Sequence, residues 1–355
     1  MAAITLPGFL KSSADRINYL NAGLMIVACV AAFIAPFSLF LLAYAVLGPL
    51  HYLTEISWIH DRGYFIARPG KPRIRVWLGL VGLTLAAMIT GLVAEKVLHQ
   101  PLPPVVEIGL FYLVFAAAAF FAFGIDKTLA TVALVAISIG IALFSASPLY
   151  GVIAFLLITI VHVLVFTAAF ILNGALKTKS TSGLASLVVF VLCVAVVFLP
   201  LSAAPASAVF HKTYAPFELL NGELIQLFGL GPGGISDIYD SDAGRAVMRL
   251  IAFAYSYHYL NWFSKTSVIG WHQVSKVRAG IILVLWLAAI AAYAWNYELG
   301  FIILYSLSVL HVMFELPLNH QTFAAIGREL YHLMPSRAVA AAKPATPRRK
   351  AHRRR

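Results

Sequence analysis

The chain has 355 residues, of which 61% are hydrophobic and only 11% charged, with a mean hydropathy of +0.88. A water-soluble domain carries about 25% charged residues, so this chain lacks the charge to cover a water-facing surface. The net charge of +12 does not point to nucleic acid. The basic residues sit in short stretches between apolar runs and in the tail, the pattern of cytoplasmic loops and contact with anionic membrane lipid.

The apolar runs are continuous rather than alternating, which argues against a β-barrel and predicts an all-α, polytopic transmembrane helical bundle of about ten spans. The opening segment MAAITLPGFLKSSADRINYL is too polar for a signal peptide. The first run spans 18–35, and Pro36 separates it from a second at 37–60. Runs at 75–95, 104–123, 128–146, 149–173 and 184–200 follow, each near the ~20 residues that cross a bilayer as a helix. A more polar segment, 201–245, carries GLGPGG and DIYDSD and predicts an external loop with one short interfacial helix around Phe217–Phe228. GLGPGG lacks the lysine of a phosphate-binding loop. Runs at 246–264, 279–297 and 299–318 complete a single helical domain, 1–335, and the basic tail 336–355 has a disordered composition.

The charge distribution orients these spans. With the N-terminus inside, 22 of the 26 Lys and Arg residues fall on the inner side; only Lys96, Lys212, Arg245 and Arg249 fall outside. This predicts a multi-pass protein of a bacterial-type inner membrane with both termini cytoplasmic. Cys29 and Cys193 lie inside apolar runs and form neither a disulfide framework nor a metal motif.

Ionisable groups inside a bilayer are costly and are functional candidates by default. Four histidines fall within apolar runs: His51, His162, His258 and His311. All lie in even-numbered spans that run in the same direction, roughly 10–17 Å from the inner ends of their helices. One intramembrane histidine is as readily a clamp between helices, but four at a common depth match the convergent imidazoles that bind a divalent transition metal. Of fourteen acidic residues, only Glu55 and Glu315 lie deep within spans. Each follows a candidate histidine by four positions and shares its helix face. The pattern L-x-x-L-H-x-x-x-E-x-x-x-x-H occurs twice, at 47–60 and 307–320. The glutamates are candidates for metal ligands, for acceptors that orient an imidazole on a neighbouring helix, or for protonated, hydrogen-bonded carboxyls. His60 is about half a turn out of phase with His51, and His60, His272 and His320 read as interface residues. His99, His211, His332 and His352 fall in loops or the tail. Tyr255 and Trp262 share the face of His258 and are candidates to line an apolar cavity, with Asn261 a candidate polar partner; Thr159 is placed to bond His162 or its own helix backbone.

Gly48, His51 and Glu55 form a G-x-x-H-x-x-x-E element, and SYHY surrounds His258. These patches resemble the Brp/Blh-type β-carotene dioxygenases, helical membrane proteins with histidines in several spans. They carry an early G-x-x-H-x-x-x-D element and a later serine, histidine and aromatic element. The resemblance covers about a tenth of the chain. It departs from the family in having Glu for Asp and in lacking a paired H-x-x-x-H on one helix. It implies non-haem iron, Fe(II), held by histidines, and oxygen chemistry on an isoprenoid or carotenoid. The dense H-x-x-H-H boxes of polyhistidine di-iron desaturases are absent.

The sequence therefore predicts a membrane-embedded non-haem iron oxygenase acting on an apolar lipid. His51, His162, His258 and His311 are the expected ligands, and Glu55 and Glu315 support them or ligate directly. A proton- or ion-coupled transporter using the same His and Glu groups is the alternative, kept open by Gly48-Pro49 and Pro317, which are expected to break spans two and ten. A non-enzymatic membrane protein, with the histidines as clamps, is the third.

Overall fold

The computed structural model describes residues 13–68, 70–100, 105–125, 152–153, 155–200, 211 and 213–333. Among these residues every regular element is helical. Helix α1 covers Ser13–Ile34 and stops at Ala35. Pro36 then occupies the first turn of α2, Pro36–Asp61, where its missing N–H costs nothing. α3 covers Lys71–Lys96 and α4 Val105–Phe123. α5, Leu157–Thr178, is followed after a left-handed Lys179 by α6, Thr181–Val196. The Ser180 side chain caps α6 by accepting from the Gly183 N–H at 3.1 Å. α7 (Glu218–Leu227) and α8 (Ile235–Asp240) lead into α9, Asp242–Ser264. A single turn, α10 (Thr266–Ile269), precedes the hairpin of α11, Lys276–Trp295, and α12, Tyr297–Leu333.

Seven of these helices, α1 to α5 with α11 and α12, are long and apolar enough to cross a membrane. The described residues do not show the expected ten. Residues 128–146 and 336–355 lie outside the described residues. α6 has 16 residues, short for a span. α9 is not among the seven, because Arg249 together with Tyr255, Ser256, Tyr257, His258, Tyr259 and Asn261 lowers its hydropathy. It is nonetheless the most enclosed helix, buried on all sides from Ala246 to Tyr259, as a central helix must be. Its Arg249 bonds the Leu199 carbonyl at 3.0 Å and lies over the Phe33 ring. The outer faces carry the opposite signal: Ile34, Val76, Val106, Val188, Val277 and Val284 are all exposed, an apolar surface suited to lipid rather than water.

The described part of the segment 201–245, residues 213–245, is less loop-like than its composition suggests. α7 lies almost where a short helix is predicted, and Leu220, Leu224 and Ile225 bury against the core rather than resting at an interface. Pro317 does not break α12, which runs unbroken through it for 37 residues. A buried helix tolerates this loss of one hydrogen bond because its neighbours hold it in place. Pro49 has a local effect instead: it follows a π-helical stretch at Ala43–Leu47, and the Trp286 indole N–H donates to the Val46 carbonyl there at 2.8 Å.

The start of α1, the α5–α6 turn, the ends of α2 and α9 and the start of α11 gather at one end of the bundle. Asn18 donates to Ser182 at 2.9 Å, Ser264 donates to the Asn21 side-chain Oδ1 at 2.9 Å, and Arg278 grips both Asp61 oxygens at 2.6 Å. This end carries Arg62, Lys177, Lys179 and Lys265 and is called the basic end below. Two apolar cores fill the bundle. One is built mainly from α1, α6, α7 and α9, the other from α3 and α4, and α2, α5 and α12 contribute to both. The candidate histidines lie on α2, α5, α9 and α12.

Candidate functional site

α9 and α12 bring His258 and His311 to the centre of the bundle, and α2 and α5 bring His51 and His162 to the same level. The four imidazoles form a closed ring. Ring centroids are 4.8 Å apart for His51 and His258, 5.0 Å for His258 and His162, 5.1 Å for His162 and His311, and 5.3 Å for His311 and His51. His51, His162 and His311 are no more than 2% exposed, and His258 is 7% exposed. His162 sits in a π-helical stretch, Leu157–Phe166, a wider turn of the kind that often marks a functional position.

His51 Nε2 lies 3.1 Å from His258 Nε2 and 3.1 Å from Glu55 Oε2. Two imidazole nitrogens and a carboxylate oxygen thus meet around one position. One ligand atom each from His51, His258 and His311 lies within 4.8 Å of the other two. Imidazole nitrogens bound at ~2.1 Å to one ion lie at most ~4 Å apart, so a small inward adjustment closes this set. The repeated histidine–glutamate pattern is used in two ways. Glu55 meets the histidine of its own helix, whereas Glu315 reaches across to His162, its Oε2 lying 3.4 Å from Nδ1.

The hydrogen-bond inventory tests whether these residues fit a metal. Nε2 of His162 and both ring nitrogens of His311 are buried without a hydrogen bond. The Leu307 and Ser308 backbone lies near His311 but outside bonding geometry. A buried polar group left unpaired costs ~1–3 kcal/mol, so several in one cluster call for a ligand. Three or four imidazoles with adjacent carboxylates are a donor set that suits Fe, Zn, Cu or Ni. The residues present fit a metal ion without selecting one.

Thr167 is a site residue that sequence reading missed. Its hydroxyl lies 2.9 Å from His258 Nδ1, and both are buried. A partner on Nδ1 fixes the ring and directs Nε2 toward His51, as supporting residues do around metal-bound histidines. Thr159, in contrast, bonds its own helix at the Phe155 carbonyl, 2.7 Å away. Asn261 does not pair with His258: its Oδ1 accepts from the Tyr257 hydroxyl at 3.4 Å. On the far side of the ring, Tyr52 stacks on His311 at 4.3 Å and shares a 2.6 Å hydrogen bond with Tyr259. Tyr255 lines a small gap there with His162, His258 and His311. Four other histidines among the described residues have partners of their own. His60 pairs with Tyr64, His320 with the Leu316 carbonyl, His211 stacks on Tyr239, and His272 packs beside Trp271.

Toward the basic end the ring meets a cavity of about 370 Å³, reached by His51, Glu55, His258 and Glu315. Trp58 and Trp262 form part of its wall, and the Trp262 indole is fixed by a 3.0 Å bond to Thr54. The chain matches no family model, no curated protein and no solved structure, so function is argued from this geometry alone.

Proposed function

We propose that the ring of His51, His162, His258 and His311 holds a transition metal, Fe(II) being the ion that the resemblance of the Gly48, His51 and Glu55 element implies, and that the protein is a membrane-embedded oxygenase of an apolar lipid or isoprenoid. The observation that carries this reading is the convergence of four buried imidazoles from four helices, several of their nitrogens lacking any partner. A bound iron would supply open coordination positions at which dioxygen and substrate meet, shielded from water. The chain's own residues supply the rest. The Thr167 hydroxyl accepts a hydrogen bond from the His258 Nδ1–H and holds Nε2 toward the centre. Glu55 and Glu315 place carboxylate oxygens beside His51 and His162, balancing positive charge where the medium is least able to screen it. Tyr52, Tyr255 and Tyr259 fill the far side and exclude water. The cavity brings substrate to the His51–His258 side, where Glu55 and Glu315 also stand.

The same reading places the basic end in the cytoplasm and completes about ten spans, with both termini inside a bacterial-type inner membrane and membrane lipid as the surrounding partner, on the strength of the charge asymmetry. A transporter needs a path past the histidines. The filled tyrosine side supports a closed catalytic pocket instead.

Elemental analysis of gently purified protein tests the proposal. One or two iron atoms per chain are expected, falling strongly in H51A, H162A, H258A and H311A while membrane insertion persists. Insertion depends on the apolar helices and metal affinity on the ligand count. Full metal content in three of the four variants would overturn the reading.

A further inference from the structure

We propose that the cavity below the ring binds a single-chain amphiphile with an anionic head, a carboxylate or phosphate monoester, its head on the Lys265 ammonium and its chain directed at the histidines. The choice of chain direction rests on the function proposed above; the head-group site does not. Four observations support it.

First, the cavity has two unlike ends. His51, Glu55, His258 and Glu315 stand at one, and Lys265, Asn18, Asn173 and Thr178 border the other. Second, Lys265 is the one Lys or Arg among the described lining residues. It follows the end of α9, and burial draws its ammonium down to about 8, so it remains mostly charged at neutral pH. No carboxylate of the lining is placed beside it along α9, because Glu55 and Glu315 belong to the ring end. An anionic head restores the electrostatic partner that the wall withholds. Third, the Asn173 side-chain oxygen, also in the lining, is buried without a hydrogen bond. That orphaned oxygen is an acceptor, which the O–H of a phosphate monoester that retains a proton can meet, while the amide N–H groups can donate to a carboxylate or phosphate oxygen. Fourth, 370 Å³ lies near the lower limit of the ~300–1,000 Å³ of small-molecule sites. That accommodates one chain and leaves a two-chain phospholipid outside.

The geometry also sets a position along the chain. Lys265 stands seven positions after His258, just past the end of α9, which sets their backbones ~10 Å apart along the helix axis. The chain carbon that meets the ring is therefore internal, ~10 Å from the head, and neither the carbon next to the head nor the far methyl of a long chain.

Trp58 and Trp262 in the cavity wall provide the measurement. Full-length protein in nanodiscs of neutral phosphatidylcholine is titrated with brominated long-chain fatty acid, the matching brominated alcohol, and a brominated alkyl phosphate, following tryptophan quenching. The acid and the phosphate are expected to bind about tenfold or more tightly than the alcohol, a difference of ~1.4 kcal/mol. K265Q should remove that preference while leaving alcohol binding as it was, and K265R should keep it. W262F should lose much of the quenching, which locates the chain in the cavity. Equal binding of acid and alcohol, or a K265Q protein that retains the preference, overturns the proposal. So does quenching unaffected by W262F, which would make Lys265 a contact for bilayer lipid only. Metal content is measured on the same preparations. Lysine-dependent binding without metal would refute the oxygenase and leave the anion site standing; metal without head-group preference would do the reverse.

Discussion

Replacing Thr167 with valine isolates the support of one imidazole. Valine keeps the branched shape of threonine and exchanges the hydroxyl for a methyl. In the parent, that hydroxyl stands 2.9 Å from His258 Nδ1, with Thr167 1% and His258 7% exposed. The variant leaves a buried ring nitrogen unpaired, a cost of ~1–3 kcal/mol. It also frees His258 to rotate or to take the other tautomer. Loss of such a partner typically weakens metal binding 10–100-fold, equivalent to ~1.4–2.7 kcal/mol, and the two figures agree. Iron affinity is measured by competition with a chelator in detergent, beside T167S, which keeps the hydroxyl and should bind close to the parent. Equal affinity for T167V and the parent, with both folded, would refute the argument that Thr167 sets the His258 ring.

Three further outcomes are expected. E55Q and E315Q preserve size and remove charge next to His51 and His162, and each should weaken metal binding 10–100-fold; coincident binding curves for both variants and the parent would exclude a carboxylate role at the metal. A reporter active only in the periplasm, fused after residue 355, should be silent, whereas one placed within 201–210 should be active; the reverse pattern would invert the proposed orientation. A Cβ at Gly300 would lie 2.2 Å from the Tyr293 backbone across the α11–α12 hairpin, so G300A should lower the thermal midpoint and folded yield while metal per folded chain stays constant, as titration of purified protein would show.

The histidine ring was legible in the sequence because imidazoles are rare in apolar spans, and helical rise converts position into depth. The all-helical architecture was legible for the same reason that hydropathy works: backbone groups in lipid must be satisfied within the segment. What the sequence hid are contacts decided by rotation and packing. Nothing marks Thr167 apart from Thr54, Thr84, Thr159 and Thr178, all of which bond the carbonyl four residues back. Glu315 shares its helix face with His311, yet its carboxylate crosses to His162 because that side chain fills the intervening space. Asn261, one turn from His258, turns toward Tyr257 instead. The expectation of a break at Pro317 applied an exposed-helix rule to a residue enclosed on α12.

The π-helical run from Leu157 to Phe166 makes residue count, rather than residue identity, the quantity that aims His162. A wide turn holds an extra residue in a loop of backbone that an α-helix would close sooner, and each residue is worth ~100° of rotation. Substituting Ile160 or Val161 by another aliphatic residue leaves that count untouched. Deleting either allows the turn to tighten, and the two parts of α5 must then rotate against one another by an angle that no side-chain adjustment absorbs. Either the imidazole leaves the ring or the preceding segment leaves its packing. In this stretch the chain behaves like a screw thread set at one position, tolerant of many substitutions and intolerant of a lost turn position.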